Sequence, residues 1–103
     1  MYTQFTESVI EIIKSIRKGK VQTYGGISKL AGHPKGARQV VRILSTLSEK
    51  HELPWHRVIN SKGELPRLNT VMFIEQKNLL EEENIKVSPD GKIDLEKYLW
   101  NAN

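Results

Sequence analysis

The sequence predicts one small domain, residues 1–103, mainly α with a minor β component, built on a helix-turn-helix of winged-helix-like form. Three observations predict it. Apolar residues near the N-terminus recur at helical rather than strand spacing. Two short helical stretches are then joined by a tight glycine-containing turn, and the second carries a basic stripe. A Pro-Asp-Gly turn near the C-terminus separates two short extended stretches.

Residues 3 to 17 form the first amphipathic helix, with Phe5, Val9, Ile12, Ile13 and Ile16 on one face, and Gly19 ends it. Val21 to Thr23 is a short extended piece. Thr23 caps a second helix that runs through Leu30 and stops at Gly32. His33-Pro34 is a turn, because a residue before proline avoids the α region. The third helix is expected from about Lys35 to Leu47, with Ala37, Val40, Val41, Leu44 and Leu47 as its apolar face. Lys35, Arg38 and Arg42 fall at i, i+3 and i+7, so they share another face. Leu53 to Ile59 reads as extended or irregular, Asn60 to Gly63 as a turn and Glu64 to Thr70 as a loop. A fourth helix covers Val71 to about Glu82, with Met72, Gln76, Leu79 and Leu80 on one side. "IKVSPDGKIDL" reads as two short strands around a turn, and Tyr98 to Trp100 packs back on the core.

Composition narrows the function. The 103 residues include no cysteine, which removes disulfides, thiolate metal sites and cysteine nucleophiles. No apolar run approaches the roughly 18 residues of a membrane span, so an intracellular, cytoplasmic protein without a membrane partner is expected. Charge is strongly segregated. Between Glu11 and Glu49 no acidic residue occurs, while Lys14, Arg17, Lys18, Lys20, Lys29, Lys35, Arg38 and Arg42 do. From Glu75 to Glu96 acids dominate, with Glu81, Glu82 and Glu83 consecutive. A basic half on so small a domain is the footprint of a nucleic-acid binder.

The stretch "LPWHRVIN", Leu53 to Asn60, is the one candidate for chemistry. His56 could act as a general base, with Glu83 as its orienting carboxylate. The neighbouring Trp55 is inert, however, and the nearest hydroxyl in sequence is Ser61, so a structural role for His56 is expected. Trp55 itself is either a core plug or the aromatic wall of a pocket for a flat ligand. His33, His51 and His56 have no metal-ligand spacing, and no metal or cofactor is expected. Arg38 is either a solvated phosphate contact or a wedge that fills the gap left by an extruded nucleotide. Tyr24 is either an ordinary first helical residue or a brace for the displaced nucleotide.

The stretches "GKVQTYGGISKLAGHPKGARQVV", "LPWHRVINSKGEL" and "LLEEENI", in that order from Gly19 to Ile85, resemble the DNA-binding domain of O6-alkylguanine-DNA alkyltransferases. That family carries a "TYG" helix start, a "G-x-P-x-x-AR-x-V" recognition helix and a "PCHRV" loop. Trp55 stands where the family has its alkyl-acceptor cysteine, and "PWHRV" is similar to the alkyltransferase-like proteins. The resemblance implies a monomer that binds duplex DNA containing O6-alkylguanine through the minor groove and flips the damaged nucleotide into a pocket. It implies no alkyl transfer, and signalling to nucleotide excision repair proteins. By position, Tyr24 matches the tyrosine that contacts the flipped nucleotide, Arg38 the finger that replaces it, and Lys35 a neighbouring DNA contact. His56 and Glu83 match the pair that activates the thiol. Arg67 lies in the loop that closes over the pocket, where a basic residue reads the alkylated base. Two departures bear on lesion range: Val41 replaces a usual glycine, and "LPRLNTV" replaces a glycine-rich loop.

Two rival functions remain. A sequence-specific helix-turn-helix transcriptional regulator would read the major groove with Lys35, Arg38 and Arg42, but has no need of "PWHRV". A hydrolase using His56 and Glu83 lacks a nucleophile or metal. The physics favours holding a base over changing it. Tryptophan offers stacking worth about 1–3 kcal/mol per base, and an alkyl group at O6 weakens pairing, so a damaged guanine costs less to extrude.

Overall fold

The computed structural model describes residues 2–66 and 69–102. Helix α1, Gln4–Ser15, begins where the Thr3 side chain accepts the Thr6 N–H at 3.1 Å, satisfying one of the free donors of the first turn. Its Val9, Ile10 and Ile13 are buried, together with Ile16 just beyond its end. Gly19 turns the chain at φ +87°, a left-handed conformation that suits glycine.

Strand β1, Gln22–Thr23, pairs in parallel with β2, Val58–Ile59, in the register Gln22 to Val58 and Thr23 to Ile59. On its other side Val21 bridges Leu99, with Val21 N–H bonded to Tyr98 O and Trp100 N–H to Val21 O. Gln22 Nε2 also donates to the Trp100 carbonyl at 3.1 Å. The C-terminal segment is thereby clasped to the centre of the molecule, with the Trp100 ring against the core built on α1.

Thr23 caps α2, Tyr24–Leu30, through the Gly26 N–H at 2.9 Å. A Cβ on Gly26 would collide with the Gln22 side chain, so glycine keeps this corner tight. Helix α3 is Ala37–His51, which corrects the expected span at both ends. Lys35 lies in the preceding turn, not on the helix, because Pro34 keeps His33 extended and Gly36 is the N-cap. At the far end Ser48 to His51 remain helical until Glu52 turns left-handed at φ 51°. The Leu53 N–H then closes the end on Ser48 O, and Leu53 is buried.

"PWHRV" is not extended: Trp55–Arg57 form one turn of 3-10 helix leading into β2. Helix α4, Thr70–Glu82, is capped by Asn69, whose side chain accepts the Met72 N–H. Its inner face is Gln76 and Leu80, whereas Met72 is 45% exposed. The strand pair expected in 85–95 is also replaced. Ser88 and Gly91 form a turn, Lys92 makes a single antiparallel bridge to Glu64, and Asp94 caps a short α5, Leu95–Tyr98. The β component is thus the parallel β1–β2 pair.

Two hydrophobic clusters result. One joins α1 to α2 and α3 through Val9, Ile13, Ile27 and Val40; the other gathers Ile59, Leu80, Ile85 and Ile93 around α4. The "PWHRV" segment lies between them, since Val58 belongs to the first and Ile59 to the second.

Candidate nucleic-acid interface

A cavity of about 680 Å³ opens between α3, the 3-10 turn and α4. That volume lies within the range of pockets that hold small ligands, roughly 300–1,000 Å³. Helix α3 lines it with one stripe, Val41, Leu44, Ser45 and Ser48, spaced at i, i+3, i+4 and i+7. Both hydroxyls of that stripe donate back to their own helix, Ser45 to Arg42 O and Ser48 to Leu44 O. Sequence spacing placed these serines far from His56, and only the fold brings them to this wall. Two carboxylates, Glu49 and Glu52, also reach the cavity from the C-terminal end of α3.

Trp55 is half-buried and lines this cavity, so of its two readings the pocket wall is the observed one. Pro54 and a hydrogen bond from Trp55 N–H to Leu53 O, 2.7 Å, hold its backbone. Its ring meets the His56 ring edge-on at 6.2 Å. Tyr24 lines the same cavity from the start of α2. Burial pushes its phenol pKa up, so the hydroxyl keeps its proton and can donate.

His56 lies behind that wall in a network centred on Glu83. His56 Nε2 donates to Glu83 Oε2 at 2.7 Å. Arg57 Nη2 donates to the same oxygen at 2.7 Å, and its Nε spans both carboxylate oxygens at 3.0 and 3.1 Å. The Gly19 N–H completes the set at 3.0 Å, and Arg57 Nη1 reaches Ile16 O at 2.9 Å. One carboxylate thus ties the end of α1 and the "PWHRV" turn to the end of α4. Arg57 was quoted in the motif but given no role. Its signal was available: a carboxylate buried beside a histidine needs further donors, and an arginine fork adjoins that histidine.

Burial alone would raise the Glu83 pKa. Hydrogen bonds from Arg57, Gly19 and His56, with the attraction of His56, outweigh it and lower the value from 4.5 to about 2. Because the folded value is depressed, the stabilisation is complete above pH 4.5 and is lost as pH falls toward 2. Allowing for solvent screening, it is on the order of 2 kcal/mol. Urea midpoints measured between those pH values should fall in the wild type, and fall less in Glu83→Gln. Equal pH dependence would exclude Glu83 as the titrating group.

The cations occupy another face. Arg38 and Arg42 are exposed on successive turns of α3, and Lys35 is exposed in the turn before it. Arg38 is one turn from Val41, which is 46% exposed at the cavity wall. Arg67 lies outside the described residues, although the adjacent Pro66 lines the cavity. Among the described residues no group of three or more His, Asp or Glu side chains could hold a metal ion. No helix among them is long and apolar enough to cross a membrane.

Comparison with known proteins places this arrangement. The family model described as 6-O-methylguanine DNA methyltransferase, DNA binding domain, matches residues 4–85. A DNA base-flipping protein of Vibrio parahaemolyticus is 48% identical over 97 residues, covering 94% of this chain and 96% of that protein. Alkyltransferase-like protein 1 of Schizosaccharomyces pombe is 35% identical over 102 residues, covering 94% of each. Among solved structures, S. pombe Atl1 in complex with damaged DNA containing O6-carboxymethylguanine matches with a TM-score of 0.84. That match is 36% identical and spans 98% of this chain and 99% of the other.

Proposed function

This chain belongs to the family of the 6-O-methylguanine DNA methyltransferase DNA-binding domain, on its alkyltransferase-like branch, and from that premise we propose that it is a non-catalytic sensor of O6-alkylguanine in duplex DNA. It approaches the minor groove with α3, extrudes the damaged nucleotide and holds it in the cavity. The bound, distorted duplex then marks the lesion for nucleotide excision repair proteins.

The observation that carries this reading is the cavity wall: Trp55 and Tyr24 face one aromatic-lined space, one helical turn from the exposed Arg38. A purine entering that space gains stacking surface on Trp55 and a donor from Tyr24. Arg38 fills the vacated stack, and Lys35 and Arg42 neutralise phosphates. Arg67 extends from the loop beside Pro66 to cover the base. An O6-alkyl group lowers the cost of extrusion, so the lesion is selected without any reaction.

No bond changes, because the chain has no cysteine to accept an alkyl group. The His56–Glu83 pair has Trp55 as its neighbour, and the two serine hydroxyls on the cavity wall are bonded to their own helix. His56 and Glu83 therefore serve to fix the loop that presents Trp55.

The test is a titration at fixed salt with one duplex carrying guanine and its counterpart carrying O6-methylguanine, followed by recovery of the lesion strand. Tighter binding of the lesion, with the methyl group retained, is the expected result. Equal binding would leave a basic DNA-binding domain and favour the transcriptional regulator, and methyl loss would make the protein an enzyme.

A further inference from the structure

The function just proposed leaves one polar side chain of the cavity unused. Gln76, on the inner face of α4, is 3% exposed yet lines the cavity. Its Nε2 donates to two backbone carbonyls, His56 O at 3.1 Å and Val58 O at 3.2 Å. Two acceptors at one end of the amide fix that end as the nitrogen, because a carbonyl accepts and never donates. Oε1 is consequently turned away from both. Among the described residues nothing donates to Oε1, and it is not sealed from solvent like a fully buried atom. The cavity is the space it faces. An acceptor held rigidly in a nearly dry wall without a donor loses hydrogen bonding that a ligand can restore.

We propose that Gln76 Oε1 accepts a hydrogen bond from the 2-amino group of the extruded purine, making Gln76 a specificity-determining residue. The assignment rests on the damaged-base reading and deepens it by naming what the pocket reads besides the alkyl group. Alkylation at O6 fixes the ring in the form whose N1 carries no proton. The 2-amino group is then the only donor left on the pairing edge. A lone acceptor matches that edge. Adenine has no 2-amino group and leaves Oε1 unsatisfied, so a weakly paired adenine gains stacking but not this bond. The two anchoring carbonyls follow Trp55 by one and three residues, so acceptor and aromatic wall are tied to the same short loop. Rejection by an unsatisfied polar group is the stronger form of discrimination available to a pocket.

The experiment uses the whole chain and three duplexes differing at one base: guanine, O6-methylguanine and 6-methoxypurine, which is O6-methylguanine without the 2-amino group. The wild type is expected to bind 6-methoxypurine about tenfold more weakly than O6-methylguanine. Gln76→Lys keeps a donor for the His56 and Val58 carbonyls and removes the acceptor. It is expected to bring the two modified duplexes within about twofold of each other. The ratio is the readout, because the added cation strengthens all DNA binding alike. Equal wild-type binding of both modified duplexes, each above guanine, overturns the Gln76 assignment and leaves the lesion sensor standing. Equal binding of all three duplexes overturns both. A wild-type ratio that persists in Gln76→Lys assigns the amino group to another acceptor. If that variant does not fold, the wild-type comparison decides alone.

Discussion

Arg38→Ala is expected to weaken binding to an O6-methylguanine duplex about thirtyfold, but binding to the undamaged duplex only about threefold. The argument separates two contributions of one side chain. As a cation it releases one counterion on binding, whatever the base, and that part is lost equally from both duplexes. As a wedge it acts only once a nucleotide has left the stack. An open step costs a few kcal/mol, and a guanidinium filling it recovers a share of that cost. Arg38 is suited to both parts: it is exposed, and no carboxylate among the described residues pairs with it. Arg42, one turn further along α3, supplies the control. Arg42→Ala should weaken both duplexes by the same factor. If Arg38→Ala does likewise, Arg38 contacts phosphate and is not the finger.

Glu83→Ala should lower unfolding free energy by about 3–5 kcal/mol, the usual cost of removing one partner from a buried ionic network. In a domain of this size that corresponds to a fall in Tm of about 15 °C or more. The substitution leaves Arg57, His56 and the Gly19 N–H without their shared acceptor. Arg57 suffers most, because its side chain is 17% exposed and cannot simply turn to water. Glu82, exposed on the same helix end, should tolerate alanine within about 0.5 kcal/mol. Comparable losses in the two variants, measured by urea unfolding, would mean that the network contributes nothing beyond surface charge. Lesion binding by Glu83→Ala should also weaken, since the loop presenting Trp55 loses its fastening.

Much of this was legible from residue order. Thr23 was expected to cap α2, and it does, because a hydroxyl before a helical run satisfies a free N–H wherever the helix sits. The core face of α1 followed from spacing, apart from Ile10, which is buried although outside the expected stripe. Helix α4 is where periodicity misled. Val71, Met72 and Ile74 are apolar yet 72%, 45% and 51% exposed. Its first half borders the cavity and solvent rather than the core, and apolar spacing cannot say which neighbour a helix will have. The expected strands after Ile85 failed for a related reason. Pro-Asp-Gly does make a turn, but the flanking residues find other partners, Glu64 for Lys92 and a helix cap for Asp94. Trp55, His56 and Glu83 were legible as a motif, and their grouping by a resemblance. Gln76 and Arg57 were not, because their roles depend on carbonyls and a carboxylate that only the tertiary fold brings near.

The clasp of the C-terminal segment to β1 places the second of the two tryptophans, Trp100, against the core on α1, while the first, Trp55, stands at the cavity wall. The indole emission of this protein therefore carries two separable signals. Trp55 reports on what enters the cavity, since a base stacked on an indole quenches it. Trp100 reports on whether the chain is folded, since unclasping exposes it to water. With Trp55 changed to phenylalanine the light that remains follows folding alone. With Trp100 changed instead, it follows occupancy alone, so lesion capture becomes visible in solution without a dye on the DNA.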